Sequence, residues 1–350
     1  MNHPFQSDRS TTFDFSVGHS TLKAKWARRA KTIPALFVAF FLTWILLPVL
    51  VSLVCIHDLL RDRTFARTRL TLFGAWWLAM ELFGVSAAFA LWLVFAPPRR
   101  LGSTTSLRFH SRLQQLWARS LAFGAKYAIG FRWSVEGIEC LRPSGPLIVL
   151  ARHGSQGDAL LTAALLTKAG RRLRFVLKRQ LLTDPCLDVV GHRIPNYFVD
   201  RDSSDNHQEL SNINVLAADL DDDEALVIFP EGTRFSPTKL VNAVAAVAET
   251  APARTAAIMN LRSVLPLRTA GTLAALEATE ADIVICNHVG IDDISSFSQL
   301  REAVPLRRPL KFKLWRTRRS DVPPRQREDE LIKWLDHQWS EVDEWVTRNQ

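Results

Sequence analysis

Between Ile33 and Ile56 the chain carries no charged residue, and a second apolar run from about Leu70 to Ala96 is broken only by Glu81. Each run exceeds the ~18 apolar residues that mark a candidate membrane-crossing helix. The first run is too long for a signal peptide and is followed by no small-residue cleavage site. Lys23, Lys25, Arg28, Arg29 and Lys31 precede the runs, and Arg99, Arg100, Arg108 and Arg112 follow them. The link His57–Arg69 carries Arg61, Arg63, Arg67 and Arg69. The flanks outweigh the link, which predicts a helical hairpin with both termini on the cytoplasmic side. A re-entrant hairpin and a pair of buried core helices are the competing geometries. Glu81 is costly at mid-bilayer and needs a partner or a shallow position.

This divides the chain into a polar, basic tail (1–32), a membrane hairpin of two hydrophobic helices (33–96), an amphipathic linking helix (97–134) and a final domain (135–350). The stretch Met1–Val17 is polar and reads as disordered. The formal net charge of +9 points to anionic partners: nucleic acid, anionic lipid or phosphate-bearing substrates. Cys55, Cys140, Cys186 and Cys286 show no metal-binding spacing and read as reduced thiols, so no metal is expected.

From Val135 onward short apolar runs alternate with helix-like stretches. Strands are expected at 147–150, 174–178, 197–199, 225–229, 264–267 and 282–286. Helices are expected at 158–169, 206–220 and 330–346. The alternation predicts an α/β fold with a mainly parallel sheet flanked by helices, preceded by the hydrophobic hairpin.

Four motifs stand at the exits of those strands. His153 and Asp158 are separated by ~500° of rotation on a regular helix, so they meet only if the chain turns between them. Gly154 and Gly157 give the backbone freedom for that turn. A carboxylate on one imidazole nitrogen fixes the tautomer and leaves the other free as a base. Alone, the pattern also fits a packed histidine beside a helix-capping aspartate. The second motif ends in Asp200-Arg201. The third is Phe229-Pro230-Glu231-Gly232-Thr233-Arg234, where glycine admits a close ligand and Arg and Thr can donate to phosphate. The fourth is Val264-Leu265-Pro266-Leu267. In an open parallel sheet all four share one edge, where ligands bind.

Together these motifs resemble the glycerophosphate and lysophosphatidate (1-acylglycerol-3-phosphate) O-acyltransferase family over roughly Val135–Val289. Phe229–Arg234 matches that family's third motif fully. Two positions depart from it: Arg152 stands where Asn is usual, and Gly157 where a bulky residue is common. The resemblance implies transfer of a fatty acyl group from acyl-CoA or acyl carrier protein thioester to the free hydroxyl of a lysophospholipid phosphate, lysophosphatidate to phosphatidate foremost. It implies His153 as general base and Asp158 as its orienting partner. Arg201, Glu231, Gly232, Thr233 and Arg234 would hold the acceptor phosphate, with Ser155, Pro230 and Pro266 in support. It calls for no cofactor beyond the thioester co-substrate. The partners are then the lysophospholipid, the thioester carrier and the membrane, with the catalytic domain facing the cytoplasm.

Two rival readings remain open at this level. His153-Gly154-Ser155-Gln156-Gly157 resembles a nucleophile elbow, so Ser155 could serve a serine hydrolase with Asp282 and His288 as partners. The basic cluster Arg307, Arg308, Lys311, Lys313, Arg316, Arg318 and Arg319 suits a non-catalytic lipid-binding protein, or simply a solvated face near anionic membrane. Nothing in it matches a nucleic-acid module.

Overall fold

A computed structural model describes residues 22–61, 64–155, 157–199, 206–294 and 296–350, together with the backbone alone of Asn206. The polar stretch Met1–Val17, Arg63, Gln156 and the pair Asp200-Arg201 lie outside these residues.

Among the described residues seven strands form one sheet. In chain order they are β1 (Trp133–Glu136), β2 (Leu147–Ala151), β3 (Arg172–Lys178), β4 (Tyr197–Val199), β5 (Glu224–Ile228), β6 (Asp282–Val289) and β7 (Leu310–Thr317). Their order across the sheet is β1-β7-β6-β2-β5-β3-β4. Every neighbouring pair is parallel except β6 with β7. The fold is α/β with a mostly parallel sheet, as expected.

Successive strand residues point to opposite faces, and this chain builds a core on each. Leu147, Val149 and Ala151 of β2 pack on one face, and Ile148 and Leu150 on the other. The first face meets α3 (Thr104–Ala128), α4 (Asp158–Lys168) and α5 (Pro185–Gly191). The second meets α6 (Asn206–Ala217), α9 (Thr269–Ala278) and α11 (Glu328–Asn349). Leu331, Leu335, Trp339 and Val342 of α11 are buried there, so that stripe is core rather than a membrane face. Short elements α7 (Pro237–Thr250), α8 (Thr255–Ile258) and α10 (Phe297–Ala303) complete the domain.

The two apolar runs are α1 (Leu22–Arg61) and α2 (Ala66–Phe95). By length and composition both could cross a membrane. α1 begins well before Ile33 and takes in the basic cluster, because Lys, Arg and Ala there are all strong helix formers. α2 lies along the α/β domain, and α1 packs on α2 and meets the domain near its amino end. Arg28 grips the Asp188 carboxylate of α5 through two bonds of 2.9 Å, and Arg29 Nη2 donates to the Asp188 carbonyl at 2.7 Å. Trp76 Nε1 of α2 donates to the Ser120 carbonyl of α3 at 2.9 Å. Glu81 is buried and accepts from Trp117 Nε1 at 3.2 Å and Cys186 N at 3.3 Å. Gly84 lets α2 approach α5 closely: a Cβ there would stand 2.3 Å from Cys186 Sγ.

Two sequence expectations are corrected. The segment 264–267 is buried but joins no strand. Side chains take its backbone groups instead: Val264 N donates to Asp343 Oδ1 at 3.1 Å, and Trp339 Nε1 donates to the Leu265 carbonyl at 3.0 Å. The basic cluster Arg307–Arg319 is largely β7, whose Leu310, Phe312 and Leu314 are buried while the residues between them face outward. Arg316 pairs with Asp282 at 2.7 Å, and Arg319 N donates to Asp282 Oδ1 at 2.8 Å, so this end of the cluster braces the sheet.

Candidate active site

β5, β2 and β6 are adjacent and parallel, so their carboxyl ends open on one edge. Chain leaving β2 carries Arg152 and His153, chain leaving β5 carries Phe229–Arg234, and His288 stands at the end of β6. The non-strand segment 263–268 reaches the same edge, where Arg268 N donates to the Pro230 carbonyl at 2.9 Å. Pro266 is buried within that segment.

The turn after β2 brings the predicted pair together. His153 Nδ1 lies 2.9 Å from Asp158 Oδ2. Asp158 opens α4 and is fully buried, while the His153 side chain keeps 16% of its surface exposed against Phe229. No hydrogen bond is made to His153 Nε2 among the described residues. Ser155 N donates to Asp158 Oδ2 at 2.8 Å, and the Ser155 hydroxyl donates to Oδ1. His288 Nε2 stands 3.1 Å from Oδ1. Burial works to raise the Asp158 carboxyl. The nearby charge of His288 and bonds from His153 and Ser155 outweigh it and hold the acid well below the usual carboxylate range. The carboxylate is therefore ionised and saturated with donors.

Ser155 does not form a nucleophile elbow. It is buried, and its hydroxyl proton points to Asp158 rather than to His153.

Glu231 also departs from expectation. It does not face a phosphate: it is 2% exposed, and its carboxylate accepts His153 N at 2.6 Å and Leu265 N at 2.8 Å. An anion turned inward and doubly bonded cannot hold another anion. It joins three chain segments instead, and burial pushes it up to about 7, opposed by Arg152 and by the two backbone N–H groups.

Arg152 explains its own departure from the family pattern. It is fully buried and donates to the His288 carbonyl at 2.6 Å and the Ser263 carbonyl at 3.1 Å, and pairs with Asp292 at 2.5 Å. It is a strut between β2, β6 and the 263–268 segment.

The outward part of the third motif is cationic. Gly232 has φ +75°, and Arg268 lies so close that a Cβ would stand 2.9 Å from its Cδ. Lys239 Nζ of α7 donates to Thr233 Oγ1 and to the Arg234 carbonyl, each at 3.1 Å. The guanidinium groups of Arg234 and Arg268 make no hydrogen bond or ion pair among the described residues. Sequence reasoning singled out Gly232, Thr233 and Arg234 but missed Lys239 and Arg268. Arg268 directly follows Leu265-Pro266-Leu267, which was the available signal. Arg201 lies outside the described residues.

Residues 132–265 match the model of the Acyltransferase family. These residues form an acyltransferase domain. That match takes in His153, Asp158 and the whole Phe229–Arg234 motif, and ends before His288. A search of curated proteins finds no match. Among solved structures, the 1-acyl-sn-glycerophosphate (LPA) acyltransferase PlsC from Thermotoga maritima is similar at 16% identity. The alignment covers 91% of this chain and 97% of that one, with a TM-score of 0.41. The acyltransferase edge thus holds an imidazole with one nitrogen tied to a buried carboxylate and the other unclaimed by the described residues. Beside it lies a cluster of three uncommitted or lightly committed cations.

Proposed function

We propose that the enzyme moves a fatty acyl group from an acyl-CoA or acyl carrier protein thioester to the free hydroxyl of a lysophospholipid phosphate, with lysophosphatidate as acceptor and phosphatidate as product. The observation that carries this reading is the 2.9 Å contact between His153 Nδ1 and Asp158 Oδ2. His153 Nε2 takes the acceptor hydroxyl proton as its oxygen attacks the thioester carbonyl carbon. The C–S bond then breaks, and the departing sulfur takes that proton back from the imidazolium. Such base catalysis contributes about 10²–10⁴-fold. A thiolate leaves readily because its thiol pKa is only about 8.5. The acceptor phosphate sits on Gly232, Thr233, Arg234, Lys239 and Arg268, joined by Arg201; Glu231, Ser155, Pro230 and Pro266 shape the loop and turn around it.

The hairpin holds this edge at the membrane, with the catalytic domain on the cytoplasmic side. Support comes from α1, whose most apolar stretch is buried nowhere by protein and exposes Phe41, Ile45, Leu53 and Leu60. Since α2 packs along α3 and α5, a shallow, re-entrant placement suits the hairpin better than one standing away from the domain. The site then opens to a lipid acceptor on one side and to a water-soluble thioester carrier on the other.

The test is acyl transfer by purified protein on a panel of lysolipids, with acyl-CoA and acyl carrier protein thioesters supplied in turn. Product from lysophosphatidate, and far less from lysolipids lacking a terminal phosphate, is expected. Equal rates on phosphate-free acceptors would overturn the phosphate assignment.

A further inference from the structure

The Asp158 carboxylate is approached by two histidines, one on each oxygen: His153 at 2.9 Å and His288 at 3.1 Å. They differ in access. The His153 side chain is 16% exposed and that of His288 only 1%, so only His153 can meet a substrate. His288 lies beyond the residues that match the family model. It reaches Asp158 because β6 is the ladder neighbour of β2: Ala151 pairs with Cys286, and each histidine stands two residues beyond that pair.

The surroundings of His288 point to this one carboxylate. Its ring packs on Phe312 of β7 at 5.6 Å, and its carbonyl is held by Arg152 at 2.6 Å. Neither ring nitrogen has an aligned hydrogen-bond partner among the described residues, the contact to Asp158 being close but oblique. A buried imidazole with no partner is costly. Before substrate binds, contacts in such sites are often long or poorly aligned, and they tighten in the reacting complex.

We propose that His288 is a positioning residue: it holds Asp158 from the side opposite His153 and so fixes the carboxylate that orients the base. This rests on His153 being the base. Ser155 N and Ser155 Oγ already serve the carboxylate, but both belong to the same local turn and move with it. Among the described residues, His288 is the contact to that carboxylate anchored in a neighbouring strand. It therefore sets the rotation of the carboxylate relative to the sheet, and through it the direction of His153 Nε2.

Two variants test this. His288→Gln places an amide N–H near the reach of Nε2, whereas His288→Asn keeps polarity but stops short of Asp158. In the full-length protein, the Asn variant should lose about ten- to hundredfold in kcat with both KM values near wild type, as expected when an orienting partner is lost. The Gln variant should recover most of that loss, and both should melt near the wild-type temperature. Wild-type kcat in the Asn variant would overturn the inference. So would equal losses in both variants, or a loss carried by KM. His153→Ala, assayed alongside, separates the two readings. If it stays active, the base assignment fails and this inference with it. If it is inactive while the Asn variant is unimpaired, the base stands and only the role of His288 falls.

Discussion

The Glu231 carboxylate accepts the backbone N–H of His153 at 2.6 Å, so an acid from the loop after β5 fixes the main chain that carries the proposed base after β2. Its second oxygen takes Leu265 N at 2.8 Å. Three segments far apart in sequence are thereby held at one point, and the position of His153 depends on a residue that never faces substrate.

Glu231→Gln should lower stability by about 1–3 kcal/mol, because an amide has one acceptor oxygen and leaves one buried N–H unpaired. The variant should also change the pH dependence. Burial raises Glu231 from 4.5 to about 7. An acid raised in the folded state contributes stability that is fully present below its ordinary value and is lost as pH rises through the folded value. Melting temperatures taken from about pH 5 to 8 should therefore fall more steeply in the wild type than in the variant, which has no proton to lose there. Parallel curves would remove Glu231 from the pH response.

His153→Ala should reduce acyl transfer by about 10²–10⁴-fold while leaving the melting temperature unchanged. Ser155→Ala should retain activity to within about tenfold, because Ser155 N still donates to Asp158 and only the hydroxyl bond to that carboxylate is lost. Abolished activity in the serine variant, with normal folding, would revive the hydrolase-like nucleophile.

Arg234→Ala and Arg268→Ala should each raise the acceptor KM by roughly tenfold with little change in kcat, since a charge-assisted contact to phosphate is lost in ground and transition states alike. Initial rates with acceptor and thioester varied separately would show it. An effect confined to the thioester KM would move these cations to the donor side.

Truncation should separate the two apolar helices. A chain starting at residue 64 loses α1 and should leave the membrane in high salt while remaining folded. A chain starting at residue 99 also loses α2, exposing Trp117, Leu121 and Cys186 that α2 now helps to cover, and should aggregate on size exclusion. If the longer chain stays membrane-bound in high salt, α2 is itself an anchor, with the amphipathic helix α3 as the next candidate.

Local pattern made much of the site legible. The His153–Asp158 spacing with its glycines required a turn, and Phe229–Arg234 stood plainly at a strand exit. Val264–Leu267 reads as a strand because it is apolar. It is not one, because its N–H and C=O groups meet Glu231, Asp343 and Trp339 before any neighbouring strand. β7 was missed because charge drew attention away from its alternation: Leu310, Phe312 and Leu314 repeat at a period of two, the mark of a strand with one buried face.

The fold class, the two long apolar helices and the chemistry of the turn after β2 are legible in the chain alone, since each depends on residues close together in it. Only packing turns Glu231 inward, makes Arg152 a strut and lets His288 share Asp158 with His153. Those relationships depend on strand order: β6 and β5 flank β2, and no local pattern in the chain encodes which strands become neighbours. The same holds for α2, whose Glu81 finds its partners Trp117 and Cys186 only when α3 and α5 pack beside it, giving a buried carboxyl group the donors it needs.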